Sequence, residues 1–471
     1  MAKVQLSAAE SFFAEISSKY NTLEETSFMN LVYGIKDRPK FGQMLVFAFQ
    51  QVLAILAATI AVPAIVGNGM SASAALLGAG IGTLVYQLFT KFRSPVFLGS
   101  SFAFIGPMGA AFGGAVSASA GFAGLILGAV FAGLVYVIIA LVVKFVGVKW
   151  IDKLMPPAVI GPTVALIGLS LAGAAINDAF SYGAKTTFGI SSYFQMTGAA
   201  WASLACAMVT LLTVVLVSTY AKKMAKLIPF IIGILAGYAV AAVFTVCGIP
   251  VIDFSLFQNM QIFAVPRFTF LEAFKGVKEI DLNYILTIVM AYVPVAFVVF
   301  AEHLADHKNL SSIIGMDLIE DPGLHRTLLG DGVGSIAGAF FGGCPNTTYG
   351  ESVGCVAITR NASIVTITTA ALMCIVISFF GPFVAFLDSI PGCVMGGVCI
   401  TLYGFIAVSG LKMIQKVDLS KNKNLFVVAT ILIPGIGGMA MDINSIYIST
   451  TACALILGII VNVLLSKSKE N

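Results

Sequence analysis

Residues 344–354 read Cys344-Pro345-Asn346-Thr347-Thr348-Tyr349-Gly350-Glu351-Ser352-Val353-Gly354. Apolar sequence flanks this stretch, but proline, glycine and hydroxyl residues interrupt it. A continuous helix facing lipid does not tolerate such interruptions, because the freed backbone N–H and C=O groups would have no hydrogen-bond partner. We therefore expect a short extended stretch, followed by a half-helix that begins near Glu351 and exposes its N-terminal end at mid-membrane.

A second stretch of the same kind lies in the first half of the chain. It reads Ser94-Pro95-Val96-Phe97-Leu98-Gly99-Ser100-Ser101-Phe102-Ala103-Phe104-Ile105-Gly106-Pro107. Here the half-helix is expected to begin near Ala103. For both stretches the alternative is a re-entrant loop with only a structural role.

The composition sets the environment of these stretches. Of the 471 residues, 59% are apolar and only 10% are charged, against about 25% charged in an average soluble domain. Too few charges are present to cover a soluble surface. This excludes a cytosolic enzyme, a nucleic-acid-binding protein and a disordered chain, and it predicts an all-α polytopic membrane protein.

Fourteen membrane-spanning segments are predicted. Eleven are apolar runs at about 41–66, 72–90, 121–146, 157–176, 197–219, 227–247, 284–304, 364–386, 393–411, 425–440 and 445–466. Three more, at 96–114, 327–343 and 346–360, are apolar but interrupted. An even number of spans places both termini on the same side of the membrane.

The distribution of basic residues tests this count, because cytoplasmic segments carry an excess of Lys and Arg. With a cytoplasmic N-terminus, all but four of the 26 Lys and Arg residues lie inside. The four outside are Lys185, Arg267, Lys275 and Lys278. We therefore expect a multi-pass protein of the plasma (inner) membrane without a signal peptide. Both the 1–40 arm and the 467–471 tail would be cytoplasmic.

The fourteen segments divide into two sets of seven with matching features. The fifth segment opens with Pro156 and the twelfth with Pro391, and both follow the pattern P-x-x-V-x-G. The interrupted third and tenth segments also correspond. Because seven is odd, the second set enters the membrane from the opposite side. This predicts two inverted seven-segment repeats, with a substrate site at the midplane between them.

Four acidic residues fall within membrane segments: Glu302, Asp306, Asp331 and Glu351. An ionised acid facing lipid costs at least about 2.5–3.5 kcal/mol at a helix centre, so each is a candidate functional residue. Glu302 and Asp306 are one helical turn apart, and this spacing predicts a pair of carboxyl groups that can share a proton. Asp306 at the cytoplasmic headgroups is the alternative. Asp331 is interpreted as a helix cap.

The histidines give little sign of a metal site. His303 and His307 have the i, i+4 spacing of a zinc pair, but no third ligand follows them. We interpret them as residues at a helix end that contact the backbone or lipid headgroups. We expect no metal, no cofactor other than a coupling proton and, in the absence of a hydrolase or protease motif, no enzyme.

Several of these motifs resemble the nucleobase/ascorbate transporter family. They are Ala301-Glu302-His303, Asp321-Pro322-Gly323-Leu324-His325-Arg326, Pro345-Asn346-Thr347-Thr348-Tyr349-Gly350-Glu351, Ile358-Thr359-Arg360 and Gly99-Ser100-Ser101-Phe102-Ala103-Phe104. The resemblance covers about 41–466. Glu at position 351 resembles the uracil permeases. The xanthine and urate branches typically carry Gln at this position.

The resemblance implies a division into two domains. The core would comprise 41–146 and 283–388 (segments 1–4 and 8–11), and the gate would comprise 147–247 and 389–466 (segments 5–7 and 12–14). The extracellular linker 248–282 would join the halves. The core would move as an elevator against a gate that forms a homodimer in the lipid membrane.

The resemblance also implies proton-coupled import of a small neutral nucleobase. Because Glu351 resembles the residue of the uracil permeases, the expected base is uracil. Glu302 and Glu351 would accept hydrogen bonds from ring N–H groups, and the backbones of Phe102 and Gly350 would bind carbonyls. Tyr349 would line the pocket. Proton coupling would involve Glu302, Asp306 and Glu351.

Two departures from the family pattern leave the exact base open. Asp306 stands where uracil permeases have His, and Gln50-Gln51 replaces Gln-His. A xanthine or purine permease of the same fold is the alternative. An anion transporter of the sulfate-transporter fold is less favoured, because no arginine lies in a candidate site. Nucleic acid is not an expected partner.

Overall fold

The computed structural model describes residues 31–147, 150, 155–188, 191–222, 225–226, 228–258, 260–444 and 446–467. Most of the expected 1–40 arm and all but the first residue of the 467–471 tail lie outside the described residues.

Helices dominate the described chain. In the first half they are α1 Phe41–Val66, α2 Ala72–Phe89, α3 Ile105–Gly113, α4 Ala118–Val146, α5 Pro157–Ser170, α6 Ala172–Ala179, α7 Gly198–Tyr220 and α8 Pro229–Val246. Helix α9, Thr269–Gly276, lies in the linker between the halves. The second half contains α10 Leu282–Ile314, α11 Leu324–Gly342, α12 Gly350–Thr359, α13 Ile364–Ser378, α14 Gly381–Asp388, α15 Gly392–Ile414, α16 Asn422–Ile436 and α17 Thr450–Leu464.

Eight helical stretches in the described chain are long and apolar enough to cross a membrane. They are α1, α2, α4, α7, α8, α10, α15 and the combined α5–α6 stretch Pro157–Ala179. Four shorter apolar helices include Phe102–Gly113 and Ile364–Ser378. The expectation of a helical, multi-pass membrane protein is confirmed, and the count of fourteen spans stays a prediction.

Three two-stranded antiparallel ribbons accompany the helices. Strand β1, Leu98–Ser100, pairs with β4, Asn346–Thr348, so the expected extended stretches in segments 3 and 10 are present and contact each other. Strands β2 (Ala184–Phe188) and β3 (Ser191–Gln195) form a second ribbon. Strands β5 (Met441–Ile443) and β6 (Ile446–Ile448) form a third. The last two ribbons were not expected from the sequence.

Helices from the two halves of the chain pack at very short distance through glycine. A Cβ on Gly78 of α2 would lie 2.6 Å from the carbonyl oxygen of Gly338 on α11. A Cβ on Gly168 of α5 would lie 2.5 Å from the carbonyl oxygen of Tyr403 on α15. Small residues at a membrane helix interface allow the backbones to approach closely, and here they hold the two halves of the chain together.

Most of the remaining packing falls into two groups of helices, which also touch each other, as between α10 and strand β6. Helix α11 packs on α2 and α4, α13 packs on α1 and α2, and α10 packs on α4. Separately, α15 packs on α5, α6 and α7, while α7 packs on α8 and α16 packs on α17. The β1–β4 ribbon belongs to the first group and lies beside α2, α10 and α11.

Candidate functional site

The β1–β4 ribbon satisfies its own backbone in the middle of the protein. Leu98, Gly99 and Ser100 pair with Thr348, Thr347 and Asn346. Beyond the ribbon, the Ser101 N–H donates to the Pro345 carbonyl at 2.9 Å, and the Tyr349 N–H donates to the Phe97 carbonyl at 3.2 Å. This pairing removes the cost of unpaired backbone groups that a broken membrane helix would otherwise carry.

Side chains of neighbouring helices fix the position of the ribbon. The Thr83 hydroxyl on α2 accepts from the Leu98 N–H at 2.9 Å and donates to the Leu98 carbonyl at 3.2 Å. The Asn346 amide donates to the Gly78 carbonyl at 2.9 Å. Because these three contacts are buried, the ribbon is held rigidly against α2.

Each strand leads directly into a helix whose first turn is open. A 3₁₀ turn, Phe102–Phe104, continues β1 into α3, and α12 begins at Gly350 immediately after β4. No side chain caps either start, at Ser101 or at Tyr349. The first N–H groups of a helix have no partner within it. Two sets of donors are therefore directed to the same region, as expected from the interruptions near Ala103 and Glu351.

A cavity of about 460 Å³ lies at these helix starts, and we call it the inner cavity. It is lined by Phe102, Ala103, Val164, Ile167, Phe230, Glu302, Ala305, Asp306, Thr347, Thr348, Tyr349, Gly350, Glu351, Leu402, Phe405, Ile406, Ser409 and Met413. All six site residues expected from the sequence are among them. The volume falls within the usual range of small-molecule sites.

The polar wall of the inner cavity carries three carboxyl groups. Glu302 and Asp306 lie one turn apart on α10, and Glu351 lies in the first turn of α12. The Thr348 hydroxyl donates to Oδ2 of Asp306 at 2.8 Å. The alternative position of Asp306 at the headgroups is therefore wrong. Within the described part of the chain, no Lys, Arg or His lines the cavity.

The opposite wall is apolar and comes from the second group of helices. Val164 and Ile167 lie on α5, Phe230 lies on α8, and Leu402 and Phe405 lie on α15. The sequence analysis did not identify these residues, because apolar side chains on spanning helices carry no signal that separates a cavity wall from a lipid-facing surface. An apolar wall that faces carboxyl groups suits a ligand with an apolar face and polar edges.

Tyr349 lines the inner cavity but its hydroxyl has a structural partner. The side chain is buried, and its hydroxyl donates to the Ser100 carbonyl at 2.7 Å. A Cβ on Gly99 would lie 2.5 Å from the Tyr349 ring. Gly99 therefore provides the space in which the aromatic ring packs across the ribbon.

Behind the polar wall lies a buried pair that the sequence analysis did not identify. His303 Nδ1 lies 2.8 Å from Oδ2 of Asp331, and His303 Nε2 lies 3.0 Å from the Thr327 hydroxyl. Both members of the pair are at most 1% exposed. The interpretation of Asp331 as a helix cap is wrong, because α11 begins at Leu324 and Asp331 lies inside it. The one signal in the sequence for His303 was that it directly follows Glu302.

His307 is also buried, so the headgroup alternative is wrong for this residue and for His303, whereas the expected backbone contact is present for His307. Its Nδ1 lies 2.8 Å from the His303 carbonyl oxygen and must donate, since a carbonyl only accepts. Its Nε2 lies 2.7 Å from the Tyr86 hydroxyl, which in turn lies 2.7 Å from the Ser94 hydroxyl. Both ring nitrogens of His303 and of His307 have a hydrogen-bond partner, so neither histidine has a nitrogen free for a metal ion.

Comparison with known proteins agrees with this geometry. Residues 42–443 match the Permease family. The chain belongs to this family. It is 38% identical to the uracil permease of Bacillus caldolyticus over 92% of this chain and 94% of that protein. It is 34% identical to the uracil permease of Escherichia coli K12, over 90% of this chain and 92% of that protein. The resemblance carried by residues 345–351 is confirmed.

Solved structures of similar fold are more distant. The transmembrane domain of the cyanobacterial bicarbonate transporter BicA is 17% identical, has a TM-score of 0.59 and is matched over 91% of this chain and all of that one. The murine Slc26a9 anion transporter in the inward-facing state is 14% identical, with a TM-score of 0.62 over 92% of this chain and 69% of that one. These similarities establish a shared fold alone.

Proposed function

We propose that this permease imports uracil together with protons across the plasma (inner) membrane. The observation that carries the proposal is the inner cavity, in which three carboxyl groups and two open helix starts face an apolar wall. The relatives at 34–38% identity are uracil permeases, which supports the same substrate. Both termini are cytoplasmic in this proposal, as the excess of basic residues on one side predicts.

The hydrogen-bonding groups of the cavity complement the edge of uracil. Uracil alternates ring N–H donors with carbonyl acceptors. Glu302 and Glu351 accept from the N–H groups, while the backbone N–H groups of Phe102 and Gly350 donate to the carbonyls. Bonds to ionised groups contribute more than neutral ones. The ring faces rest between Tyr349 and the apolar wall.

The charge of the cavity argues for a neutral substrate. The structural relatives include a bicarbonate transporter and an anion transporter, and a site for an anion requires positive charge or a surplus of donors. Here Glu302, Asp306 and Glu351 line the cavity, without a Lys, Arg or His from the described chain. An anion would be repelled at short range.

Coupling to protons rests on the same carboxyl groups. Glu302 and Asp306 are one turn apart, and Glu351 lines the cavity with them, so these acids affect one another's protonation. We infer that this group of acids takes up a proton on the outside and releases it inside. Asp306, held by Thr348, is the member of the group that replaces the family histidine.

Movement between the two sides is proposed to follow an elevator mechanism. The core (41–146 and 283–388) carries the polar wall, and the gate (147–247 and 389–466) carries the apolar wall. The packing of helices in two groups supports this division. Contacts between segments seven apart, as at Gly78–Gly338 and Gly168–Tyr403, support inverted repeats. In the proposal the gate also forms the homodimer, through exposed apolar residues such as Trp201 and Leu212.

Competition for uptake tests the substrate. Cells or vesicles containing the protein should accumulate labelled uracil, and excess unlabelled uracil should block this uptake. Xanthine should compete weakly, and sulfate should not compete. Stronger competition by xanthine than by uracil would favour the purine permease, and competition by sulfate would contradict the argument from charge.

A further inference from the structure

A second cavity, of about 820 Å³, lies on the predicted extracellular side, and we call it the outer cavity. The cavity is formed by α3, by the starts of α10 and α17, and by the β5–β6 ribbon. It shares Phe102, Ala103 and Ile167 with the inner cavity. These residues therefore form the partition between the two cavities, with Phe102 on the core side and Ile167 on the gate side.

One wall of the outer cavity is rich in glycine. Gly106, Gly109 and Gly113 recur at i, i+3 and i+7 on α3, and an added Cβ at each would meet nothing within 4 Å. Residues at this spacing lie on one face of a helix. The helix that begins in the inner cavity thus presents a bare backbone surface along its outer length, against which a planar ring can lie.

The facing wall is polar and contains hydrogen-bonding side chains that suit a neutral ring. Asn283 lies in the first turn of α10, and Thr450 and Thr451 begin α17. An amide and two hydroxyls can both donate and accept. Asp281 and Asp442 add negative charge, and no Lys, Arg or His of the described chain lines this cavity. The outer cavity, like the inner one, therefore favours a neutral ligand over an anion.

We propose that the outer cavity is a second binding site for uracil or a similar neutral, planar base, occupied before the base passes Phe102 and Ile167. This inference rests on the proposed function, since it takes the transported base as the ligand. The two sites share the broken third segment: its first turn binds the base in the inner cavity, and its glycine face binds it in the outer cavity.

Chemical protection of a cysteine at the outer site tests the proposal. Cys247 is the exposed native cysteine in the described chain and the other seven are buried, so Cys247→Ser gives a suitable background. Thr451→Cys is then exposed from outside to a membrane-impermeant, positively charged methanethiosulfonate reagent. Uracil at twice its Kd for this site should slow the reaction about threefold, because only unoccupied sites react. Thr187→Cys, exposed on β2 away from the cavity, is the matched control and should not respond.

The same measurement in a Glu351→Ala background separates the two sites. Protection of Thr451→Cys that persists there supports uracil binding in the outer cavity itself. Absence of protection, loss of protection in Glu351→Ala, or failure of the reagent to reach Thr451→Cys overturns the proposal. Uracil uptake by the unmodified protein is measured in parallel. Its absence would overturn the proposed function, whereas normal uptake without protection would overturn only the outer site.

Discussion

The Thr348 hydroxyl on β4 donates a hydrogen bond of 2.8 Å to the carboxyl group of Asp306 on α10. This contact joins the broken tenth segment to the helix that carries Glu302. It also fixes the carboxyl group that the resemblance places at the position of a histidine in the uracil-permease motif. In the proposed mechanism, the chemistry of proton coupling therefore depends on this contact between a strand and a helix.

The first prediction concerns this contact. Asp306→Asn removes a group that can gain and lose a proton but keeps an acceptor for Thr348. We expect uracil uptake that no longer rises as the external pH falls, measured as initial rates across a range of external pH. Thr348→Val, which removes only the donor, should shift the profile less. An Asp306→Asn profile identical to that of the unmodified protein would assign the proton to another group.

Glu302 is expected to be indispensable. It lines the inner cavity directly and is proposed both to bind the base and to take part in proton coupling. Glu302→Ala should reduce uptake to background while the protein is still present in the membrane, as measured by labelled uracil uptake and immunoblotting. Uptake at the normal rate by this variant would remove Glu302 from the site.

Glu351 is expected to determine the choice of base. Glu351→Gln keeps an acceptor oxygen but removes the carboxylate, and a bond to a charged group contributes about 1–1.5 kcal/mol more than a neutral one. Uracil binding to the purified protein should therefore weaken about 5- to 10-fold, with a relative gain for purines. Glu320→Gln, exposed and outside the cavity, is the control. Unchanged uracil affinity in Glu351→Gln would contradict the assigned contact.

The buried pair behind the site is expected to matter for stability. Asp331→Ala leaves His303 without its partner in a fully buried position, at a cost of about 1–3 kcal/mol. Thermal unfolding in detergent should occur at a lower temperature than for the unmodified protein. In a double-mutant cycle, His303→Ala should add little to Asp331→Ala if the two residues act as a pair. Additive losses would show that they do not.

Gly99 is predicted to be needed for the packing of Tyr349. A Cβ at this position would lie 2.5 Å from the aromatic ring, so Gly99→Ala should displace the ring and lower both thermal stability and uptake. Gly354→Ala is the matched control, because a Cβ there meets nothing within 4 Å. Equal behaviour of the two variants would contradict the close packing.

The sequence pointed to the polar residues that line the inner cavity, because polar residues are rare in membrane segments. Proline and glycine near Gly350 indicated the broken helix, and the acids Glu302, Asp306 and Glu351 stood out by their cost in lipid. Each of these residues is found at the inner cavity. The signal in each case was local, lying within a few residues of the chain.

What the sequence did not predict depends on contacts between distant segments. The partner of His303 is 28 residues away at Asp331, and Tyr86 is 221 residues from His307. A single sequence contains no record of such pairings. Apolar wall residues such as Phe230 were missed for another reason: in a chain that is mostly apolar, they look like any other membrane residue.

Accumulation of labelled uracil in proteoliposomes under an imposed proton gradient tests the central claim most directly. The interior is made alkaline relative to the outside, and uptake is followed with and without an uncoupler. The account predicts concentrative uptake that the uncoupler abolishes, accompanied by proton entry that requires uracil. Concentrative uptake that is insensitive to the uncoupler, or proton entry that does not depend on uracil, would contradict it.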